Sequence, residues 1–209
     1  MNKIQRTGFV VCALLVAACG QPGTTYNGNL LTYLIGLDQL PAVGFSIVDA
    51  PHHITASQFA SSAQDGPISD SAQARYFRNV GDFAASNGPI DIVTSIARSP
   101  SASDAHTVFA EVSSGLDHEA NAVAVSSGPL GDESHATTRV ASVQSVQAIE
   151  VDVVWRIGNL VNRVTVRGRY GGARLEDAIT LADIQVNNEL AGGRPSPTTR
   201  ATAAPTPTP

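Results

Sequence analysis

Apolar and polar residues alternate most regularly over Ala148 to Arg169 (AIEVDVVWRIGNLVNRVTVRGR), where two β-branched runs flank Gly158-Asn159. A period of two on either side of a two-residue Gly-Asn loop predicts a β-hairpin. The loop sets the register, so Ile157 faces Leu160, Trp155 faces Asn162, Val153 faces Val164 and Glu150 faces Arg167. Side chains alternate between the faces of a strand. One face then carries Ile149, Val151, Val153, Trp155 and Ile157 against Leu160, Val164 and Val166. The other carries Glu150, Asp152 and Arg156 against Arg163, Thr165, Arg167 and Arg169. The apolar face needs a cover.

Helical periodicity supplies candidates for that cover. Ala105, Val108, Phe109, Val112 and Leu116 form one stripe over Ser103 to about Glu119. Leu175, Ala178, Ile179, Ala182, Val186 and Leu190 form another over Arg174 to Leu190, with Glu176 and Asp177 in the first turn and Gly192 as the stop. A short third helix from Ala56 to about Ala63 starts on a capping-box pair, Thr55 and Gln58, with Ile54 and Phe59 at staple spacing. Strands are predicted at Phe45 to Asp49, Ala74 to Val80, Ile90 to Arg98, Ala122 to Val125 and Ser134 to Val143, with Gly, Pro and Asn between them. Leu37, Leu40 and Phe45 are expected core contacts. This order predicts an α+β fold, a curved antiparallel sheet of about five to seven strands with two or three helices packed on one face.

The ends of the chain read differently. Lys3 and Arg6 precede an apolar run, Gly8 to Ala18, of signal-peptide length, shorter than the ~20 residues of a membrane span. The run ends in Val16-Ala17-Ala18-Cys19, which resembles the lipobox of bacterial lipoproteins. The resemblance implies cleavage before Cys19, a thioether-linked diacylglycerol (with palmitate-like chains) on that cysteine, and a protein held on the outer side of a bacterial membrane. Gly20 lacks the aspartate that signals inner-membrane retention in some two-membrane hosts, which leaves an outer-membrane location open. The resulting layout is a leader at residues 1–18, a polar, Gly-rich leash at 19–29, one domain at 30–192 and a Pro/Thr-rich tail at 193–209, expected to be disordered.

Charge narrows the partners. Without Lys3 and Arg6, 11 of the 13 basic residues remain, all arginine, against 18 acidic residues, a net of −7. Such a balance argues against nucleic acid and against attraction to anionic headgroups. The two cysteines, Cys12 and Cys19, lie in the leader and at the lipid position. No disulfide is then expected, and the core must hold the domain.

A second resemblance rests on Leu37-Asp38-Gln39-Leu40-Pro41, GDES at Gly131 to Ser134, RIGNLVNRVTVRG at Arg156 to Gly168 and DAITLADIQ at Asp177 to Gln185. Their order resembles a group of bacterial secreted lipoproteins, some described as sensor-like domains. That implies a binding or sensor-like module, and it brings no catalytic residues with it.

The polar residues form no catalytic or metal constellation in the sequence. His52 and His53 are adjacent and point opposite ways on a strand. Asp104 and His106 lie two apart on a helix, and Glu111 and His118 pair only two ligands where zinc wants three or four. Asp132, Glu133, Ser134 and His135 are sequence neighbours, whereas a triad converges from separate elements. GRYGG at Gly168 to Gly172 has no lysine and no phosphate-loop spacing. No enzyme activity, metal or cofactor is expected. Two binding candidates remain. Trp155 and Asn162 face each other on the apolar side, where Asn162 either lines a small pocket or pairs with a neighbour. Arg163 and Arg167, with Arg169, are either a solvated face or, if the helices cover only the other side, a site for an anionic ligand. An envelope hydrolase or transferase, or a structural envelope protein, are the alternatives to a binding module.

Overall fold

The computed structural model describes residues 24–60, 67–143 and 145–194. Seven strands form one antiparallel sheet in the order β1-β2-β3-β7-β6-β5-β4. They are β1 (Phe45–His53), β2 (Asp70–Arg78), β3 (Asp91–Arg98), β4 (Ala122–Val125), β5 (Glu133–Val143), β6 (Val146–Ile157) and β7 (Leu160–Arg169). The helices are α1 (Leu30–Tyr33), α2 (Ala56–Phe59), α3 (Ala102–Asp117) and α4 (Leu175–Leu190), with a 3-10 turn at Leu37–Gln39. The expected α+β class and antiparallel sheet are what the chain forms.

The predicted hairpin is β6 and β7, with Trp155 opposite Asn162 and Glu150 opposite Arg167. Gly158 takes φ +56° at the first loop position, where a two-residue hairpin turn of type II′ wants a glycine. A single addition completes the centre of the sheet. Strand β3, which is buried on both faces, pairs with β7 so that Asp91 meets Arg167 and Ser95 meets Arg163. Edge strand β1 is largely exposed, and Pro51 and two register shifts against β2 blunt it.

The disposition of the helices corrects the expectation of one covered face. Helices α1 and α4 pack on the side bearing Val151, Val153, Trp155, Ile157, Leu160, Val164 and Val166. Helices α2 and α3 pack on the opposite side, over Ala97, Val154 and Val161. The reason lies in the polar face itself: Val154 and Val161 interrupt its charged positions and give α3 an apolar seat. All five stripe residues of α3 are buried as predicted.

Helix α4 keeps most of its predicted stripe inward, with Ala178 and Ala182 buried and Leu175 and Val186 half-buried against the core, but its C-terminal end is turned. Ala178, Leu181, Ala182, Gln185, Asn188 and Glu189 are buried, whereas Leu190 is 63 % exposed. Buried amides explain the rotation. Asn188 Nδ2 donates to the carbonyls of Tyr33 (3.2 Å) and Leu34 (3.3 Å), which end α1 without helical partners. Leu40 and Phe45 are half-buried against this core, but Leu37 is 40 % exposed, because the 3-10 turn points it outward.

Candidate functional site

The four predicted binding residues divide between the two faces. Trp155 and Asn162 are both 0 % exposed beneath α4 and line no surface hollow. Asn162 has found a partner: its Oδ1 accepts from Gln185 Nε2 (2.9 Å), and the Thr94 hydroxyl bonds the Gln185 carbonyl oxygen. One turn along α4, Glu189 is sealed in the same layer, and neither of its oxygens has a partner among the described residues. Burial pushes its carboxyl well above the ordinary glutamate range, and Gln185 offsets only part of that.

Arg163 and Arg167 stand on the other face, where register builds a row of alternating charge across four strands. Asp91, Arg167, Glu150 and Arg139 are successive cross-strand partners on β3, β7, β6 and β5. Each touches the next. Arg167 Nη1 donates to Asp91 Oδ2 at 3.2 Å, its Nε bonds Glu150, and Arg139 bonds the same carboxylate. Arg75 on β2 extends the row with a two-pronged contact to Asp91, 2.9 Å on each prong. At the far end Arg139 meets Glu119. One layer nearer α3, Asp152 accepts from Arg163 Nε (2.8 Å) and from the Thr165 hydroxyl (2.6 Å). Asp91 raises the pKa of Arg75 above its ordinary value, chiefly through that hydrogen bond. Burial alone would lower Arg167, but Glu150 and Asp91 outweigh it and the net shift is upward.

The row is balanced, three arginines against three carboxylates, and Arg163 is balanced by Asp152. An anionic ligand therefore meets no unpaired cation along it. What the face offers instead is shape. Helix α3 leaves bare the part of the sheet beside α2, where three hollows lie side by side. One of about 240 Å³ is floored by Gln73, Arg75, Ser95, Thr165 and Arg167, with Asp49 of β1 at its edge. Arg163, Gln58 and Phe59 join it to a second of about 340 Å³ between α2 and α3. Arg167 joins it to a third of about 370 Å³, apolar, walled by Phe77, Val80, Phe83, Ile90 and Ala148.

The remaining sequence candidates do not assemble into a site. His135 bonds Asp117 (2.9 Å), but Ser134 points to the other face and bonds Ser127 and the Gly128 carbonyl. His106 pairs with Glu133 and His53 with Asp70, each at 2.8 Å. Among the described residues no group of three metal-ligating side chains comes together. Arg169 is held by backbone carbonyls of Ser86 and Tyr170. Cys19 lies outside the described residues.

Arg75, Asp91 and Arg139 were not singled out in the sequence. Alternation placed Glu150 and Arg167 together, but Asp91 reaches Arg167 only through β3–β7 pairing across 76 positions. Alternating charge at matched positions of predicted strands was the one available signal.

No helix among the described residues is long and apolar enough to cross a membrane. No protein-family model and no curated protein sequence matches the chain. Its fold is similar to that of the extracellular domain of PknH from Mycobacterium tuberculosis. The TM-score is 0.50 at 10 % identity, covering 82 % of this chain and 98 % of that one.

Proposed function

We propose that this protein is a sensor-like binding module, tethered through a lipid on Cys19 to the outer face of a bacterial membrane. Its ligand is uncharged and rich in hydrogen-bonding groups. The observation that carries the reading is the run of three joined hollows on the half-covered sheet face, floored by ion pairs already balanced against each other. Paired guanidinium and carboxylate groups present donors and acceptors side by side, and the Asp49 carboxylate, without an ion-pair partner among the described residues, adds an acceptor at the rim, which suits hydroxyls and amides. Ser95, Thr165, Gln58 and Gln73 add neutral partners, and the apolar hollow beyond Arg167 receives a less polar end. The leader, the lipobox pattern and the fold shared with an extracellular domain support the location.

The enzymatic alternative calls for a perturbed carboxylate or a nucleophile–base pair in a hollow. The strongly shifted carboxylate here, Glu189, sits on the sealed face instead.

Two measurements test the reading. Mass spectrometry of membrane-fraction protein is expected to find diacylglyceryl Cys19 as the first residue; a retained Met1 or a bare Cys19 thiol overturns the tether. Thermal shift of the lipidated protein against neutral oligosaccharides and uncharged peptides is expected to find stabilising ligands. Thr165→Val and Gln73→Leu should abolish that stabilisation, and added salt should leave the affinity nearly unchanged, because no net charge is neutralised. A Kd that weakens steeply with salt points to a charged ligand, and turnover in a hydrolase panel points to the enzyme.

A further inference from the structure

The polar stretch expected to act as a leash is docked from Thr24 onward. Tyr26 N–H donates to Asn159 Oδ1 at 2.7 Å, and Asn159 Nδ2 donates back to the Tyr26 carbonyl at 3.4 Å. Arg98 holds the Gly28 carbonyl, Tyr33 Oη accepts from Gly28 N–H (3.1 Å), and the Tyr26 and Tyr33 rings meet edge to face at 6.5 Å. The Thr24 carbonyl runs so close to the hairpin turn that a Cβ on Gly158 would stand 1.9 Å from it. The turn is itself braced, since Asp132 accepts from Gly158 N–H (2.8 Å), Arg156 donates to the Gly158 carbonyl (2.9 Å), and Asn159 ties it to Ser99 (3.1 Å). The chain therefore enters the domain at the β6–β7 turn.

From these contacts we infer that the β6–β7 end of the sheet faces the membrane and that the ligand hollows open away from it. The inference rests on the lipid tether at Cys19. From Cys19 to Thr24 the chain advances five residues, which span at most about 17–18 Å however they are arranged. A leash free to Asn29 would reach about twice as far. Arg167 lies seven residues along β7 from Leu160, about 23 Å further from the turn at strand spacing, and the apolar hollow beside it is at that same distal end. Helix α3 starts at the turn end, so the membrane-proximal half of this face is the covered half. A ligand then approaches from the side away from the bilayer, past no lipid headgroups. The surroundings of the turn mix Arg98, Arg156, Asp132 and Glu133, so the tether sets the orientation rather than attraction to anionic lipid.

The test uses the lipidated protein on phosphatidylcholine vesicles containing a headgroup-bound quencher. The chain's two cysteines are the leader's Cys12 and the lipidated Cys19, so one introduced cysteine is the only thiol to label. Ser103→Cys places a fluorophore on an exposed site near the β6–β7 turn, and Ser142→Cys places it at the β5–β6 turn at the other end of the sheet. The Ser103 label is expected to be quenched several-fold more than the Ser142 label. Inserting about ten Gly/Ser residues between Cys19 and Thr24 should shrink that difference while the protein still floats with the vesicles. Equal quenching at the two sites, or stronger quenching at Ser142, in a protein whose mass shows the lipid overturns the orientation alone. A protein with no lipid on Cys19 removes the tether and the orientation together.

Discussion

Strands β6 and β7 show two unlike faces to two unlike covers. On the α4 side the polar groups are few and fully sealed: Asn162, Gln185 and Glu189 lie among Trp155, Leu160 and Leu181, and several of their atoms have no partner among the described residues. On the α3 side the charges are many and paired: the arginines reach water at 24–42 % side-chain exposure, while the carboxylates they hold, Asp91, Glu150 and Asp152, are buried beneath them at 11, 10 and 3 %. A sealed polar group acts on stability, because its desolvation is complete and nothing can reach it. A guanidinium that holds a buried carboxylate on one side and faces water on the other keeps donors free on its outer edge. On the function proposed above, folding falls to one face and recognition to the other, although both come from alternate residues of one hairpin.

The largest expected effect tests the sealed side. Trp155→Ala should cost about 3–5 kcal/mol, since the indole is wholly enclosed and its removal leaves a void. Leu181→Ala, under the same helix, should cost about 2–5 kcal/mol. Denaturant unfolding checks both. A loss below 1 kcal/mol at Trp155 would mean that α4 does not close over the hairpin.

Glu189 sharpens the contrast through pH. Its folded-state pKa is raised, so the native chain keeps a proton that the unfolded chain releases above about pH 4.3. Stability from this group is complete at lower pH. It falls by about 1.4 kcal/mol per pH unit as pH rises from there to the folded pKa, and is level beyond it. Glu189→Gln should remove that slope and be the more stable protein at pH 8. Parallel stability–pH curves for the two would show that the carboxyl is hydrated after all.

How much of this was legible in the sequence varies with the range of the interactions. The hairpin register follows from a local turn, and the α3 stripe from local periodicity, so Trp155 opposite Asn162 and the buried Val108 and Val112 are as expected. The α4 stripe holds through Val186 and fails only at Leu190, where a distant partner decides. Asn188 is buried because the carbonyls of Tyr33 and Leu34 need its amide, and no hydrophobicity pattern records that. The same holds for Thr24 to Asn29, whose polar, Gly-rich composition reads as a leash but whose backbone finds Asn159 and Arg98 across the fold. Of the site, Glu150 with Arg167 and the presence of Arg163 were readable. That their charges are balanced by Asp91, Asp152 and Arg139 required the strand order.

The open side should respond more gently. Glu150→Gln removes the carboxylate shared by Arg139 and Arg167, both of which can turn to water at 36 % and 42 % side-chain exposure. The expected loss is about 1.5–3 kcal/mol, the range of a hydrogen bond to a charged group and below the Trp155 effect, and it should shrink in high salt. A loss as large as that of Trp155→Ala would mean that the row is structural core rather than a floor for a ligand.

The smallest effect separates the observed rotation of α4 from the stripe its apolar residues predict. Leu190 belongs to that stripe, yet it is 63 % exposed, while Glu189 beside it is buried. Replacing an exposed leucine whose side chain joins no cap or network changes stability by no more than about 0.5 kcal/mol. Leu190→Ser should therefore be nearly neutral in the same unfolding experiment in which Leu181→Ala is severe. Were the helix turned to follow its apolar stripe, the order would reverse, Leu190 would cost several-fold more, and Glu189 would stand in water with no pH slope to lose. Both readouts follow from one angle of α4 about its axis, so agreement between them decides which side of the helix closes the dry face.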